Sequence, residues 1–153
     1  MQAEEAIRRL GITLPSVPAP AAQFVPAKQV GNLLYISGQL PFANGELISR
    51  GKVGGKVSLE QAQIAARCCA VNLLGVLKAA LGSLDKVQSI VKLQIFVSSE
   101  NGFDQQHLVA NAASGLLAEV FGEVGSQTRT AVGINQLAMD ATVEIDAIVE
   151  VAV

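Results

Sequence analysis

The stretch QTRTAVGINQLAMDATVEIDAIVEV, Gln127–Val151, decides how the chain is read. Two β-rich runs, Arg129–Asn135 and Thr142–Val151, flank the connector Gln136–Ala141, a pattern that predicts an antiparallel hairpin. In the second run Val143, Ile145, Ala147, Val149 and Val151 alternate with Thr142, Glu144, Asp146 and Glu150, and Ile148 breaks the pattern. In the first, Thr130, Val132 and Ile134 alternate with Arg129, Ala131, Gly133 and Asn135. Strand side chains point to opposite faces in turn. One face is therefore expected to pack on a core and the other to hold Arg129 and Glu144 together. The Ala, Gly and Thr residues around them leave room for a ligand. A structural ion pair between the two across the hairpin fits the same spacing.

Working outward, 153 residues suit one domain with a sizeable core. Half the residues are apolar and only 16% are charged, so part of the surface is expected to be covered by further copies of the chain. Net charge is −2, the pI is near 5.4 and no basic run occurs, which argues against a nucleic-acid surface. Neighbouring Cys68 and Cys69 diverge around a predicted helix and are expected to be reduced thiols in or near the core. That usage suits a reducing compartment. The N-terminus lacks a secretory h-region, and no apolar run approaches the ~20 residues that span a bilayer. A soluble, cytoplasmic protein is the expectation.

From the N-terminus, Ala3–Leu10 has acids first and arginines last, with Gly11 at a C′ position, and predicts a short helix. Pro15, Pro18, Pro20 and Pro26 then force an extended path. Residues 1–22 read as a helix and an arm laid on the main unit, residues 23–153. Gln23–Lys28 and Asn32–Gly38 predict paired strands turning at Gly31-Asn32, with a further short strand near Glu46–Ser49. Ser58 with Gln61 forms a capping box for a helix reaching Leu81 and stopped by Gly82. Its buried stripe is Leu59, Ala62, Ala66, Cys69, Leu73, Val76, Leu77 and Ala80. Lys86–Ser98 predicts a strand with Val87, Val91, Leu93, Ile95 and Val97 on the core side, and Gln88, Lys92, Gln94 and Phe96 opposite. Phe103–Gly122 predicts a second helix. It buries Val109, Ala112, Ala113, Leu116 and Val120 and carries His107, Asn111 and Ser114 on its far side. The order ββ-α-β-α-ββ makes an α+β sandwich: one sheet, two helices on one face, and an open face with Phe96 and Ile148 for another subunit to cover.

Several chemistries are excluded. One histidine, His107, and no Cys/His cluster argue against a metal site. No nucleophile elbow and no dinucleotide fingerprint occur. Gly51–Lys56 falls short of a phosphate loop, because its glycine spacing is short by one and Val57 replaces Ser/Thr. What remains is Arg129, whose planar fork matches a carboxylate, and Glu144, which can hold a water or move a proton.

SGQLP at Ser37–Pro41, TRTAVGINQL from Thr128 and VEIDAIV at Val143–Val149 resemble the signature of the RidA/YjgF family, whose members are also labelled endoribonuclease L-PSP. The fifteen-residue step from Arg129 to Glu144 matches too, and the likeness runs from Phe24 to Val151. The N-terminal arm points to a longer subgroup. The resemblance implies a chorismate-mutase-like α+β fold and a homotrimer with ligand clefts between subunits. It implies hydrolysis of reactive 2-enamine or 2-imine acids to 2-keto acids and ammonia, without cofactor or metal. Arg129 would hold the substrate carboxylate and Glu144 would position the water. Phe24, Ser37, Gly38, Asn111, Thr130 and Ala131 would line the pocket. Two residues depart from the deaminase pattern: Phe24 stands where a tyrosine is usual, and Ala131 where a cysteine is common. They motivate a second expectation, a non-catalytic carboxylate-binding or chaperone-like trimer. Endoribonuclease activity ranks third, given the acidic pI and the single histidine.

Overall fold

A computed structural model describes residues 2–17 and 23–153. The core helix α2, Leu59–Leu81, starts at the capping box foreseen for it. Ser58 Oγ accepts from the Gln61 N–H, the Gln61 side chain accepts from the Ser58 N–H, and Gly82 closes the helix in the left-handed conformation. With 23 residues it is long and apolar enough to cross a membrane by length and composition, which corrects the expectation that no such run exists. Here it is the central helix of the core. Ala62, Ala65, Ala66, Cys69, Ala70, Leu73, Leu74 and Leu77 are buried, a wider stripe than expected, while Ala80 is exposed. Helix α3, Gln106–Phe121, packs beside it and buries Val109, Ala110, Ala113, Leu116, Leu117 and Val120. Ala112, expected in that stripe, is only half-buried.

The main sheet has five strands: β1 Ala27–Val30, β2 Leu33–Gln39, β5 Val87–Ser98, β6 Thr128–Ile134 and β7 Val143–Val151. Their spatial order is β1-β2-β7-β5-β6. The β1–β2 hairpin turns at Gly31-Asn32 as predicted. Two very short strands, β3 Phe42–Ala43 and β4 Glu46–Leu47, form a separate ribbon, so the sheet is not single.

The predicted C-terminal hairpin is not formed. Strand β5 lies between β6 and β7, paired parallel to the first and antiparallel to the second. Alternation assigns faces but not neighbours, and α3 supplies the crossover that a parallel β5–β6 pair needs. The consequence reaches the site. Arg129 is level with Leu93, a core residue under the helices, whereas Glu144 is level with Phe96 on the other side. Arg129 and Glu144 therefore lie on opposite faces of the sheet, and the expected shared face and ion pair are both ruled out within one chain.

A smaller correction concerns Val91, expected inside but 38% exposed, with Ile90 buried in its place. The β5–β7 register shifts between Ile90 and Lys92, and such an irregularity turns the alternation over by one residue. The sheet face away from the helices carries Tyr35, Lys92, Gln94, Phe96, Glu144, Asp146 and Ile148.

Helix α1, Gln2–Arg9, docks through reciprocal capping. The N–H groups of Ala3 and Glu4 donate to Asp85 Oδ1 at 3.1 and 3.2 Å. In return Glu4 accepts from the Leu84 N–H at 2.6 Å and Lys78 Nζ at 2.8 Å. Burial opposes ionisation of Glu4, but Lys78 and the Leu84 amide outweigh it and hold the carboxyl below its usual value. Leu10, Ile12, Leu14 and Val17 continue along the core, and Pro15 crosses α2 over Gly75. The rest of the predicted proline arm, including Pro18 and Pro20, lies outside the described residues.

Candidate functional site

Arg129 stands on edge strand β6 and reaches toward α3. Its Nη1 donates to Asn111 Oδ1 at 2.9 Å and Ser114 Oγ at 3.1 Å, and Nη2 donates to the His107 carbonyl at 3.4 Å. Successive turns of α3 bring these three acceptors to one side. All are neutral. Among the described residues no carboxylate pairs with Arg129. A half-buried guanidinium held only by dipoles keeps its charge available for an anion. Ala131, two positions on, shares this face and packs against the core.

Glu144 is built on the other face by a bulge. Between Ile36 and Gln39 the β2–β7 register shifts, so Ser37 and Gly38 leave the regular ladder. Ser37 Oγ donates to the Val25 carbonyl at 2.6 Å, and its N–H donates to the Pro26 carbonyl at 2.9 Å. This ties the bulge to the segment carrying Phe24, which is 50% exposed. The Glu144 carboxylate lies against Gly38, and a Cβ there would overlap it. Burial, and secondarily the charge of Asp146, push the Glu144 carboxyl above its ordinary value. Asp146 is likewise raised by burial, partly offset by Lys92. With its amide nitrogen turned inward, Gln94 donates to both Asp146 oxygens at 3.1 and 3.2 Å.

The eight expected site residues thus fall into two groups. Arg129, Asn111 and Ala131 gather under α3; Phe24, Ser37, Gly38 and Glu144 gather at the β2 bulge, and Thr130 points away from Arg129 beside Gln94. Sequence reasoning placed Ser114 on the outer face of its helix without a role, and passed over Gln127 and Asp146. The i, i+3 spacing of Asn111 and Ser114 was the available signal for the first. Cys69 is buried, and its thiol is pushed well up, mainly by burial; Cys68 is pushed up by burial too, so neither is a ready nucleophile. Among the described residues no cluster of His, Cys, Asp or Glu could hold a metal.

The family model for endoribonuclease L-PSP matches residues 15–151, most of the chain. The chain belongs to the RidA/YjgF family. A Trypanosoma cruzi relative, protein TCP17, is 45% identical over 145 residues, covering 94% of this chain and 91% of its own. A 2-iminobutanoate/2-iminopropanoate deaminase of Dermatophagoides farinae is 30% identical over 138 residues, with 90% and 93% covered. Among solved structures, an Agrobacterium tumefaciens protein of unknown function superposes with a TM-score of 0.91 at 48% identity, over 99% of this chain and 93% of that one. At that coverage the likeness to the Agrobacterium structure takes in α1, which precedes the residues the family model matches.

Proposed function

We propose that this RidA-family chain hydrolyses reactive 2-imino acids, and the enamines that tautomerise to them, to 2-keto acids and ammonia. The observation that carries the reading is Arg129: a cation on neutral acceptors, without a counter-ion among the described residues, at a sheet edge. The kinship with an imine deaminase at 30% identity supports the same chemistry. In this reading Arg129 takes the substrate carboxylate and Glu144 attends the reacting carbon. Because the two face opposite ways within one chain, the site is shared: Arg129 of one protomer meets Glu144 of the next in a homotrimer. The sheet face bearing Phe96, Ile148 and Glu144 is the surface that assembly covers.

The chemistry asks little of the protein. A protonated imine carbon is electrophilic already. Water oxygen bonds to that carbon as the C=N pair moves onto nitrogen and Glu144 takes a water proton. Glu144 passes that proton to nitrogen, the hydroxyl gives up its own proton to solvent water as the C–N bond breaks, and ammonia and the keto acid part. A carboxyl with raised proton affinity suits both transfers. Fixing the carboxylate supplies the orientation.

The test generates the imine in situ with an amino-acid oxidase and follows keto-acid release. Wild type should accelerate release, while Arg129→Ala and Glu144→Ala should leave only the spontaneous rate. No acceleration by wild type, or equal acceleration by Arg129→Ala, removes the reading. A second reading, a non-catalytic carboxylate-binding trimer, is favoured by the apolar ring of Phe24 beside the bulge. It predicts binding of 2-ketobutyrate with no turnover of any imine.

A further inference from the structure

The guanidinium of Arg129 has five N–H groups to place. Both Nη1 hydrogens have acceptors, Asn111 Oδ1 and Ser114 Oγ. One Nη2 hydrogen reaches the His107 carbonyl at the longer distance of 3.4 Å. The second Nη2–H and the Nε–H have no acceptor among the described residues. Ser114 is itself oriented: its Oγ–H donates to Gln127 Oε1 at 3.3 Å, which turns a lone pair toward Arg129. Gln127 is fixed in turn, its Nε2 donating to the Gly125 carbonyl at 2.7 Å. Gly125 is buried against Leu117 of α3 with no space for a Cβ. A directional chain therefore runs from the backbone through Gln127 and Ser114 to one end of the guanidinium.

We infer that Ser114, backed by Gln127, is a positioning residue for Arg129: its oriented lone pair holds Nη1 and so fixes the plane in which the fork meets a carboxylate. That a carboxylate meets the fork rests on the carboxylate-binding reading above; the positioning role does not. Ser114 touches no substrate. It acts by keeping the fork from turning about the Nε–Cζ bond.

The experiment has two readouts, on 15N-labelled full-length protein. Without ligand, the Arg129 Nη1 and Nη2 signals should be separate in wild type, merged in Ser114→Ala, and separate again in Ser114→Thr, which keeps the hydroxyl. Gln127→Leu, a lesion one step further back, should broaden them in the same sense. With 2-ketobutyrate as the probe, Ser114→Ala should raise Kd roughly tenfold, the low end of what one hydrogen bond to a charged group is worth. Arg129→Lys, which has no planar fork, should raise it further. Wild-type Nη signals and wild-type affinity in Ser114→Ala overturn the positioning role. Signals that merge as expected while wild type binds no 2-keto acid uphold that role and overturn the carboxylate-binding reading of the proposed function.

Discussion

A glycine and a carboxylate in contact make the sharpest single-residue test in the molecule. Gly38 has no space for a methyl group because the Glu144 carboxylate occupies it, so Gly38→Ala must displace the acid or the bulge. The expected outcome is near-total loss of imine turnover with a circular-dichroism spectrum like wild type; full turnover would mean that Glu144 need not sit there. Glu144 also makes a pH prediction. Its folded carboxyl binds a proton more tightly than its ordinary value of 4.5, and Asp146 behaves likewise relative to 3.8. Folding is therefore favoured below those values, and that contribution is lost as pH rises through the higher folded ones. Replacing the charge with an amide removes the penalty only where the acid is ionised. Glu144→Gln should gain stability over wild type at pH 7 and gain less at pH 4, read as the shift in urea midpoint at each pH. Equal shifts at both would refute the raised proton affinity.

Elements differ in how plainly the chain announces them. Helix α2 was legible because its signals are local: Ser58, Gln61 and Gly82 act within a few residues of where they stand. The β1–β2 turn was legible for the same reason. Strand β6 was recognised as a strand yet given the wrong neighbour, since period-two alternation records burial and is silent about which strand lies alongside. The residues named by resemblance could not be grouped, because their grouping depends on that long-range pairing. The irregularity at Ile90–Lys92 left no mark that composition could reveal. Gly75 shows packing overruling propensity. A mid-helix glycine costs about 0.5–1 kcal/mol relative to alanine, yet a Cβ there would stand 2.9 Å from the Pro15 carbonyl oxygen. Gly75→Ala should therefore leave the melting temperature little changed while unseating the arm, and limited proteolysis should cut faster between Ile12 and Val17. Unchanged cleavage would show that the helix shifts instead. Removing the cap by Ser58→Ala should cost about 1 kcal/mol in equilibrium unfolding.

At the scale of the whole molecule, the exposed sheet face sets the expectation. Phe96 and Ile148 lie half-covered there among Gln94, Glu144 and Asp146, so a buried cation in their midst would be costly. Wild type should sediment as a trimer of the 15.9 kDa chain, and Ile148→Lys as a monomer that has lost imine turnover. A monomeric wild type that still turned over imine would end the shared-site proposal. The opposite orientation of Arg129 and Glu144 has one more consequence. Protein lacking the arginine and protein lacking the glutamate should each be silent alone, yet each would still carry the half the other has lost. Unfolded together and refolded as a mixture, they should repair one another, since about a quarter of the seams in a randomly mixed ring would receive both intact halves.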